Sequence, residues 1–297
     1  MDDGFTCNVC GAGNKWNADV SDRERATCAA CHSSMRFRSI ALALSRALFG
    51  MDLKLCEFPR LKSLRGLGFS DSDIYSARLE ERFSYTNTFQ HREPVFDLTR
   101  PDETEFGKYD FVICSDVLEH VEPPVDRAFA TLGRLLKPSG VLILTVPYSL
   151  ENESIEHFPR LHETGLTEIN GRPILVNRSE DGKYEVFDQL VFHGGQGSTL
   201  ELRVFSETDI RAWLATAGFT TVRFEATGNP RLGVVFEGPC SLPIIASREP
   251  FSLSVSGISE IAGQLAAASA LLNRVRESSW LRLGRVLGLG PRIQLPL

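Results

Sequence analysis

The chain has 297 residues, of which 42% are hydrophobic and 24% are charged. This composition supports a buried core, and it excludes an intrinsically disordered or fibrous protein. The formal net charge of −6 argues against a protein held to nucleic acid mainly by a broad basic surface.

No feature of the sequence predicts export or a membrane span. The N-terminus opens with acidic residues, where a signal peptide needs a basic and then an apolar run. The nearest candidate for a span, residues 251–272, carries Glu260, Gln264 and several serines, and a span needs roughly 18–20 uncharged apolar residues. Seven cysteines without an export signal indicate reduced thiols. We therefore expect a cytoplasmic protein without a transmembrane segment.

Two Cys-x-x-Cys pairs lie near the N-terminus. Cys7 and Cys10 form the first pair, Cys28 and Cys31 form the second, and seventeen residues separate the pairs. Four thiolates in this pattern can surround one Zn²⁺ at roughly 2.3 Å, and they leave no open position for a catalytic water. The segment has little apolar periodicity, so metal binding would supply its folding free energy. We predict a structural zinc ribbon over residues 1–35; four unconnected structural thiols are the alternative.

Between about residues 36 and 248, short apolar runs alternate with amphipathic stretches, the pattern of an α/β domain with a largely parallel sheet. Strands are predicted near 63–69, 84–88, 94–98, 109–114, 141–146, 220–226 and 232–237. Helices are predicted near 36–50, 72–83, 125–137 and 206–217. Pro138-Ser139-Gly140 is expected to break the third helix, and Ser206 with Asp209 resembles a capping box that opens the fourth.

An insertion, residues 148–205, interrupts this alternation. Within it, residues 172–177 and 183–192 flank Asp181-Gly182, a dipeptide that favours the turn of a β-hairpin. We expect the insertion to fold over the carboxyl edge of the sheet as a substrate lid.

Residues 249–297 form a C-terminal tail. Apolar residues recur at spacings of three and four between Ile258 and Val275, which predicts a short amphipathic helical seam. Three roles stay open for the tail: packing on its own domain, a homodimer through residues 251–290, or peripheral contact with a membrane through Trp280 and the neighbouring arginines.

Residues 109–147 contain the most informative motifs, which are Tyr109-Asp110, Val117–His120, Arg134–Gly140 and Pro147. In order and spacing they resemble the central motifs of class I S-adenosyl-L-methionine (SAM)-dependent methyltransferases, and the resemblance covers roughly residues 60–240. It implies a Rossmann-like α/β sheet, mostly parallel with the last strand antiparallel, and residues 36–248 would be the catalytic domain.

The resemblance extends to the N-terminus. Residues 28–38 are similar to the end of a zinc ribbon that precedes the catalytic domain in a subgroup of bacterial methyltransferases, with His32 in place of a glycine. Arg36 and Arg38 match this motif, and either could face a ligand or have a solvated or packing role at the start of a helix.

The resemblance also implies where SAM binds. Ligands of open parallel sheets lie beyond the carboxyl ends of the strands. The glycine turn would follow the first strand. The acid that holds the ribose hydroxyls in the family is missing, and Asn87 or Gln90, both uncharged, could hydrogen-bond a hydroxyl there. Asp97 lies where such enzymes place a polar residue beside the adenine, although a cap or turn former is the alternative. The residues expected to contact SAM are Gly66, Gly68, Phe69, Ser70, Asn87, Asp97, Leu98, Ser115 and Asp116.

A hydroxyl acceptor would need a general base, and histidine is the commonest one. His193 and His157, both in the insertion, are the candidate bases, and Arg203 is a candidate anion clamp; each could equally be a surface or core residue. His120 is a third candidate, although a structural role for the motif that contains it is slightly favoured.

Three functions remain open on the sequence. The leading hypothesis is a SAM-dependent methyltransferase that methylates a small-molecule or glycan acceptor at oxygen, because relatives with this ribbon resemble enzymes of bacterial polysaccharide and secondary metabolism. An RNA or protein methyltransferase that grips its substrate with the ribbon is the second, although residues 1–33 carry five acids against three basic residues. The third is a catalytically silent adaptor with the same fold.

Overall fold

A computed structural model of the protein describes residues 4–193, 199–279 and 283. In chain order, the strands are β1 (Gly4–Thr6), β2 (Gly13–Lys15), β3 (Leu61–Phe69), β4 (Phe83–Thr88), β5 (Tyr109–Ser115), β6 (Leu136–Thr145), β7 (Tyr148–Ser149), β8 (Ile155–Glu156), β9 (Glu163–Ile169), β10 (Arg172–Arg178), β11 (Tyr184–Phe187), β12 (Phe192–His193), β13 (Thr199–Leu200), β14 (Arg203–Ser206), β15 (Thr221–Phe224) and β16 (Ile244–Ser247). The α-helices are α1 (Met35–Phe49), α2 (Asp73–Arg82), α3 (Asp126–Leu135), α4 (Glu207–Thr216) and α5 (Val255–Glu277).

The N-terminal module, residues 4–34, is built from β1, β2 and two matching turns. Gly11 follows the first cysteine pair with φ +84° and its N–H donates to the carbonyl of Cys7 at 2.8 Å. His32 follows the second pair with φ +58° and its N–H donates to the carbonyl of Cys28 at 2.9 Å. His32 therefore adopts the left-handed conformation that glycine adopts without steric cost.

The N-terminal module packs on the sheet domain. Phe5 and Val9 belong to the same buried apolar cluster as Leu44 of α1 and Phe111 of β5. The N-terminal module has few apolar residues of its own, and Phe5 and Val9 among them are buried in the core of the sheet domain.

Helix α1 confirms the prediction for residues 36–50. The hydroxyl of Ser34 accepts the N–H of Phe37 at 3.5 Å, so a side chain caps the first turn. Gly50, with φ +68°, ends the helix and donates to the carbonyl of Arg46.

The central sheet has six strands in the order β15–β16–β6–β5–β3–β4, and β16, the last in the chain, is the one that runs antiparallel to the others. This confirms the predicted Rossmann-like sheet. Side chains of β5 alternate between two cores: Phe111 and Ile113 pack with α1 and α2, whereas Val112 and Cys114 pack with α3 and α4. Helices therefore cover both faces, which explains the uninterrupted apolar run of this strand.

Two predicted strands are wrong. Residues 94–98 contribute only an isolated bridge between Val95 and Phe89. Residues 232–237 form no strand, because Gly233 turns the backbone with φ +71° and only an isolated bridge joins Val234 to Asn229. The strand that completes the sheet is instead β16, which pairs with β6.

The predicted break at Pro138-Ser139-Gly140 ends α3, but these residues lie inside β6. The register between β5 and β6 shifts between Tyr109 and Phe111, so the extra residues form a bulge. Gly140 is needed there, because a Cβ on it would lie 2.9 Å from the carbonyl oxygen of Tyr109.

The insertion contains the predicted hairpin and one that was not predicted. Strands β10 and β11 pair antiparallel around Gly182, as expected. Strand β9 pairs with β10 through Asn170-Gly171, whose φ values of +53° and +75° suit a type I′ turn. A small separate core of Phe158, Leu175 and Leu202 supports this part of the chain.

Helix α4 begins at the predicted cap. The Ser206 hydroxyl accepts the N–H of Asp209 at 3.0 Å. In a full capping box, the Asp209 carboxylate would also accept the N–H of Ser206. Here the carboxylate accepts the N–H of Ser154 instead, at 2.6 Å.

The tail forms α5, as predicted, and within its described residues the hydrogen bonds to the sheet domain lie near the start of the helix. Glu260 accepts the N–H and hydroxyl of Ser63 at 3.1 and 3.0 Å, and the side chain of Gln264 makes two hydrogen bonds with the backbone of Arg60. By length and composition the stretch Val255–Val275 qualifies as a candidate membrane span, with mean hydropathy 1.3 and 6% of its most apolar window buried. Because Glu260 and Arg274 lie within this stretch, it is not a run of roughly 18–20 uncharged apolar residues, and the absence of a transmembrane segment stays a prediction. Trp280 and most of residues 280–290 lie outside the described residues.

Candidate functional site

The strand ends named by the sequence meet at one edge of the sheet. Strands β3 and β5 are parallel neighbours, so Phe69 and Ser115 end on the same side. The ring of Phe96 lies 5.6 Å from that of Phe69, which brings the segment with Asp97 to this edge. Leu98 is buried in the same core.

The two glycines of β3 are required by the packing of the protein itself. A Cβ on Gly66 would lie 2.2 Å from the ring of Phe111, so Gly66 belongs to the strand interior. A Cβ on Gly68 would lie 1.9 Å from the hydroxyl of Tyr85 and 2.0 Å from the carboxylate of Asp71. The turn itself is made by Ser70, which is exposed and has φ +56°.

Asp71 is a buried carboxylate that the sequence did not single out. It accepts a hydrogen bond from the hydroxyl of Tyr75 at 2.5 Å and another from the hydroxyl of Tyr85. Burial raises the pKa of Asp71 to about 7, although both tyrosine hydrogen bonds lower it. The group therefore titrates near neutral pH in the folded protein.

Asn87 serves the same turn. Its side-chain oxygen accepts the N–H of Asp71 at 2.9 Å, and its amide nitrogen donates to the carbonyl of Asp71 at 2.8 Å. Both ends of the Asn87 amide are thus engaged by the backbone of the glycine turn.

Asp97 forms the turn that follows β4, the alternative that the sequence left open. Its carboxylate accepts the N–H and the hydroxyl of Thr99 at 2.8 and 2.7 Å. Burial raises the pKa of Asp97, but these hydrogen bonds outweigh burial and lower it below its usual value.

Ser115 and Asp116 are held by two arginines from the N-terminal part of the chain. Arg23 donates from both terminal nitrogens to the Asp116 carboxylate, at 2.7 and 2.6 Å. Arg36 donates to the hydroxyl of Ser115 at 3.0 Å, and its Nε lies 3.3 Å from Asp116. Asp116 also accepts the hydroxyl hydrogen of Thr145 at 2.8 Å.

The electrostatics of this cluster follow from the two guanidinium groups. Burial raises the pKa of Asp116, but the hydrogen bond and charge of Arg23 and the charge of Arg36 outweigh burial and lower the pKa to about 2. Asp116 is therefore a carboxylate at neutral pH, even though only 3% of its side chain is exposed.

The two arginines of the ribbon motif have different roles. Arg36 faces the site, whereas Arg38 is completely buried and donates to the carbonyls of Gly233 and Ser33 at 2.7 and 2.8 Å. Arg38 therefore has the packing role.

The motif Val117–His120 turns directly after β5. Glu119 is fully buried, and burial, followed by the charge of Asp116, raises its pKa well above the usual value. The ring Nδ1 of His120 donates to the carbonyl of Leu200 at 2.8 Å, which fastens the insertion to this turn. This contact agrees with the structural role favoured for the motif.

The second candidate base, His157, is paired with a carboxylate. Its Nε2 lies 3.3 Å from Oε1 of Glu201, and 28% of its side chain is exposed. The N–H of His157 donates to the carbonyl of Leu202 at 2.8 Å, and the N–H of Leu202 donates to the carbonyl of Glu119 at 2.8 Å. The segment of residues 200–202 therefore contacts both histidines, His120 through the carbonyl of Leu200 and His157 through the carbonyl of Leu202.

His193, the remaining candidate, pairs through its backbone with Thr199. Its side chain lies outside the part of the chain that the structure describes. Arg203 is completely buried, and it donates to Glu156 at 2.6 Å and to the carbonyls of Leu118 and Val121. These contacts give Arg203 a packing role in place of the expected anion clamp.

The four cysteines of the N-terminal module form one cluster. Their sulfur atoms all lie within 4.8 Å of one another, with Cys7–Cys31 at 3.7 Å and Cys10–Cys28 at 3.6 Å. Ligands at about 2.3 Å from a tetrahedral Zn²⁺ are about 3.8 Å apart, so the cluster fits this ion. The hydroxyl of Ser33 lies 3.2 Å from the Cys7 sulfur, a contact that could orient a ligand.

The fold is similar to solved methyltransferase structures. The sugar N-methyltransferase KedS8 from a Streptoalloteichus species shares 17% identity, with 63% of this chain and 80% of that chain covered and a TM-score of 0.37. The 1,6-didemethyltoxoflavin-N1-methyltransferase of Burkholderia thailandensis, with bound S-adenosylhomocysteine, shares 17%, with 71% and 76% covered and a TM-score of 0.40. SAM-bound CalS10, an amino pentose methyltransferase from Micromonospora echinaspora, shares 15%, with 73% and 92% covered and a TM-score of 0.40.

No curated protein sequence matches this chain. The sequence profile of the family described as "Methyltransferase domain" matches residues 11–223, which is more than half of the chain. The match spans the second cysteine pair, α1, the glycine turn, the motifs after β5 and the insertion. The chain therefore belongs to the methyltransferase domain family, and it is a SAM-dependent methyltransferase of class I.

Proposed function

We propose that this enzyme methylates a hydroxyl group of a small-molecule or glycan acceptor that binds between the carboxyl edge of the sheet and the insertion. SAM would lie along that edge, near Ser70, Asp97 and Leu98, with its methionine end at Ser115 and Asp116. Bound there, SAM supplies a methyl group on a sulfonium. Gly66, Gly68 and Phe69 support the edge from within the strand, and Asn87 supports the glycine turn.

The pairing of His157 with Glu201 is the observation that carries the proposal. A carboxylate accepts, so Nε2 of His157 carries the hydrogen in this pair, and the lone pair of the neutral ring lies on Nδ1. A base oriented by a third group is the arrangement that activates hydroxyl nucleophiles. The exposed fraction of the His157 side chain leaves room for an acceptor to reach it.

In the reaction, the acceptor oxygen forms a bond to the methyl carbon while the carbon–sulfur bond breaks. The electron pair of that bond stays on sulfur as a thioether, and the hydroxyl proton passes to Nδ1 of His157. Glu201 holds the resulting imidazolium. The rest of the rate gain comes from alignment, since holding the reacting atoms roughly 3–3.5 Å apart replaces a bimolecular encounter.

The N-terminal module supports a small acceptor over RNA. Arg23 and Arg36 point to the carboxylates of Asp116 and Glu24, and Arg38 is buried. Among the described residues of the module, the arginine with the most exposed side chain is Arg25, which is paired with Asp19. These cations serve the protein's own contacts, so they offer little basic surface to phosphates.

We also infer that the four cysteines hold a structural Zn²⁺. Four thiolates give a closed coordination sphere, so this ion would stabilise the module without entering the methyl transfer. The cytoplasmic location stays a prediction, and unpaired thiols at all seven cysteines are consistent with a reducing compartment.

The test is transfer of tritium from methyl-labelled SAM to a bacterial extract separated into low-mass, glycan, RNA and protein fractions. We expect label in the low-mass or glycan fraction. His157→Ala should lower turnover by about 10²–10⁴-fold, with S-adenosylhomocysteine binding unchanged. His162→Ala, which alters another exposed histidine of the insertion, is the matched control and should keep full turnover. Label in RNA or protein, or an active His157→Ala variant, would refute the proposal.

A further inference from the structure

Arg23 and Arg36 share one partner besides Asp116. One carboxylate oxygen of Glu24 accepts a hydrogen bond from Arg23, and the other accepts two from Arg36, at 3.0 and 2.9 Å. Glu24 thus bridges the two guanidinium groups with both oxygens. It is 46% exposed, whereas the arginines are 22% and 15% exposed.

We propose that Glu24 occupies the place of the donor's α-carboxylate: Arg23 and Arg36 bind that carboxylate after displacing Glu24, while Asp116 binds the α-ammonium. This inference rests on the proposed position of the methionine end at Ser115 and Asp116. It makes the N-terminal module one wall of the donor site.

The charges of the cluster match an α-amino acid. The methionine end of SAM is a zwitterion, with a carboxylate and an ammonium on one carbon. The cluster offers two guanidinium groups with five N–H donors each and one buried carboxylate, Asp116. Bidentate guanidinium–carboxylate pairs are among the strong hydrogen bonds of proteins. The residues present therefore fit this end of the donor.

The exchange is feasible because the two carboxylates differ in burial. An exposed ion pair contributes little to stability, so the Glu24 side chain can leave for solvent at small cost. Asp116 is nearly buried and accepts a further hydrogen bond from Thr145, so it stays in place. Displacing Glu24 leaves the number of ion pairs unchanged, since a donor carboxylate replaces it.

The N-terminal module positions the cations for this role. The N–H of Arg36 donates to the carbonyl of Arg23 at 3.0 Å, which joins the start of α1 to the loop that carries Arg23. Arg38, two residues further along α1, donates to the carbonyl of Val20 at 3.2 Å and holds the same loop. Arg23 and Arg36 are therefore positioned together.

The test is calorimetric titration of the full-length protein with S-adenosylhomocysteine and with 5′-methylthioadenosine, which lacks the amino-acid end. Arg23→Ala and Arg36→Ala should weaken S-adenosylhomocysteine binding by about 10–100-fold, the effect of losing hydrogen bonds to a charged group. Both variants should bind 5′-methylthioadenosine like the wild type. Glu24→Gln should tighten S-adenosylhomocysteine binding several-fold, because the competing charge is gone.

Arg25→Ala is the matched control, because it removes a nearby arginine that is 61% exposed and pairs with Asp19; it should change neither affinity. Arg36→Lys keeps the positive charge but cannot make the bidentate hydrogen bonds of a guanidinium group. Its affinity for S-adenosylhomocysteine should lie between those of the wild type and Arg36→Ala. This variant tests the inference if an alanine variant fails to fold. Equal losses of affinity for both ligands, or weaker S-adenosylhomocysteine binding by Glu24→Gln, would overturn this inference but not the proposed position of the donor. A wild-type protein that binds neither ligand would overturn the donor position itself.

Discussion

Arg38 donates from Nε to the carbonyl of Gly233 at 2.7 Å, across 195 positions of sequence. The same guanidinium donates to Ser33 and Val20 in the N-terminal module. Arg38 is completely buried, and its guanidinium also lies 5.0 Å from the centre of the Phe5 ring. One side chain thus joins the module, α1 and the segment before β16.

Arg38→Ala should strongly destabilise the protein. The substitution leaves the carbonyls of Val20, Ser33 and Gly233 without their side-chain donor in a buried region, and we expect a loss of about 2–4 kcal/mol in the free energy of unfolding. Urea denaturation followed by circular dichroism measures it. The control Arg25→Ala, on the exposed side of the module, should stay within about 0.5 kcal/mol of the wild type. Similar losses for both variants would contradict the assigned role.

The cysteine cluster predicts one zinc ion per chain. Elemental analysis of the purified protein should give one equivalent, and Cys28→Ala should lose it, because three thiolates bind the ion more weakly than four. Loss of the metal should also lower the melting temperature, since binding free energy is folding free energy in such modules.

Cys240→Ala is the control for the metal measurement. Cys240 is exposed and lies outside the cluster, so this variant should keep the full equivalent. A wild-type protein purified without zinc, and unable to take it up on titration, would show that the four thiols are only structural.

Asp71 should make stability depend on pH. Its folded-state pKa of about 7 exceeds the ordinary value of 3.8, so the folded state binds the proton more tightly than the unfolded state. The stability from this group is complete below about pH 4 and is lost as the pH rises through about 7. Asp71→Asn stays neutral, so its stability relative to the wild type should be higher at pH 8 than at pH 5. Each unit of pKa shift corresponds to about 1.4 kcal/mol.

Urea denaturation at the two pH values measures this difference. Asp73→Asn, at the exposed first residue of α2, is the control. It should change the free energy of unfolding by the same amount at both pH values. An Asp71→Asn variant whose relative stability does not change with pH would mean that Asp71 ionises normally in the folded protein.

Local chemistry predicted much of the fold. The cysteine spacing located the four-cysteine cluster, Ser206 located the start of α4, and Asp181-Gly182 located a hairpin. Asn170-Gly171 carries the same turn signal, so β9 could also have been predicted. Each of these features depends on a few residues that lie close together in the sequence, so a local pattern can predict it.

The edge of the sheet and the contacts of the site were not predictable in this way. Residues 232–237 and β16 are both short apolar runs, and only tertiary packing decides which one pairs with β6. The partner of Asp116 is 93 residues away, in a segment without regular structure. Likewise, Glu201 carries no local motif, and its role appears only when β14 and β8 bring it beside His157.

The exposed part of α5 predicts self-association. Between Leu265 and Leu272, the apolar side chains of this helix are exposed, including Leu265 at 66% and Leu272 at 49%. Residues 265–277 of this helix extend about 20 Å, which is less than the roughly 30 Å hydrocarbon core of a bilayer. While Glu260 and Gln264 stay on the sheet domain, residues 265–277 alone are too short to cross a membrane. We propose that the seam pairs with a second copy, and a peripheral membrane contact is the alternative.

Removal of residues 265–297 should therefore convert a dimer into a monomer, as measured by light scattering after size-exclusion chromatography. The free energy of unfolding of the monomer should change little, because the described residues removed are mostly exposed. The double variant Leu265→Lys, Leu272→Lys keeps the helix but charges the seam, and it should have the same effect on mass. An unchanged mass, together with loss of sedimentation on anionic phospholipid vesicles, would identify the tail as a membrane-surface anchor instead.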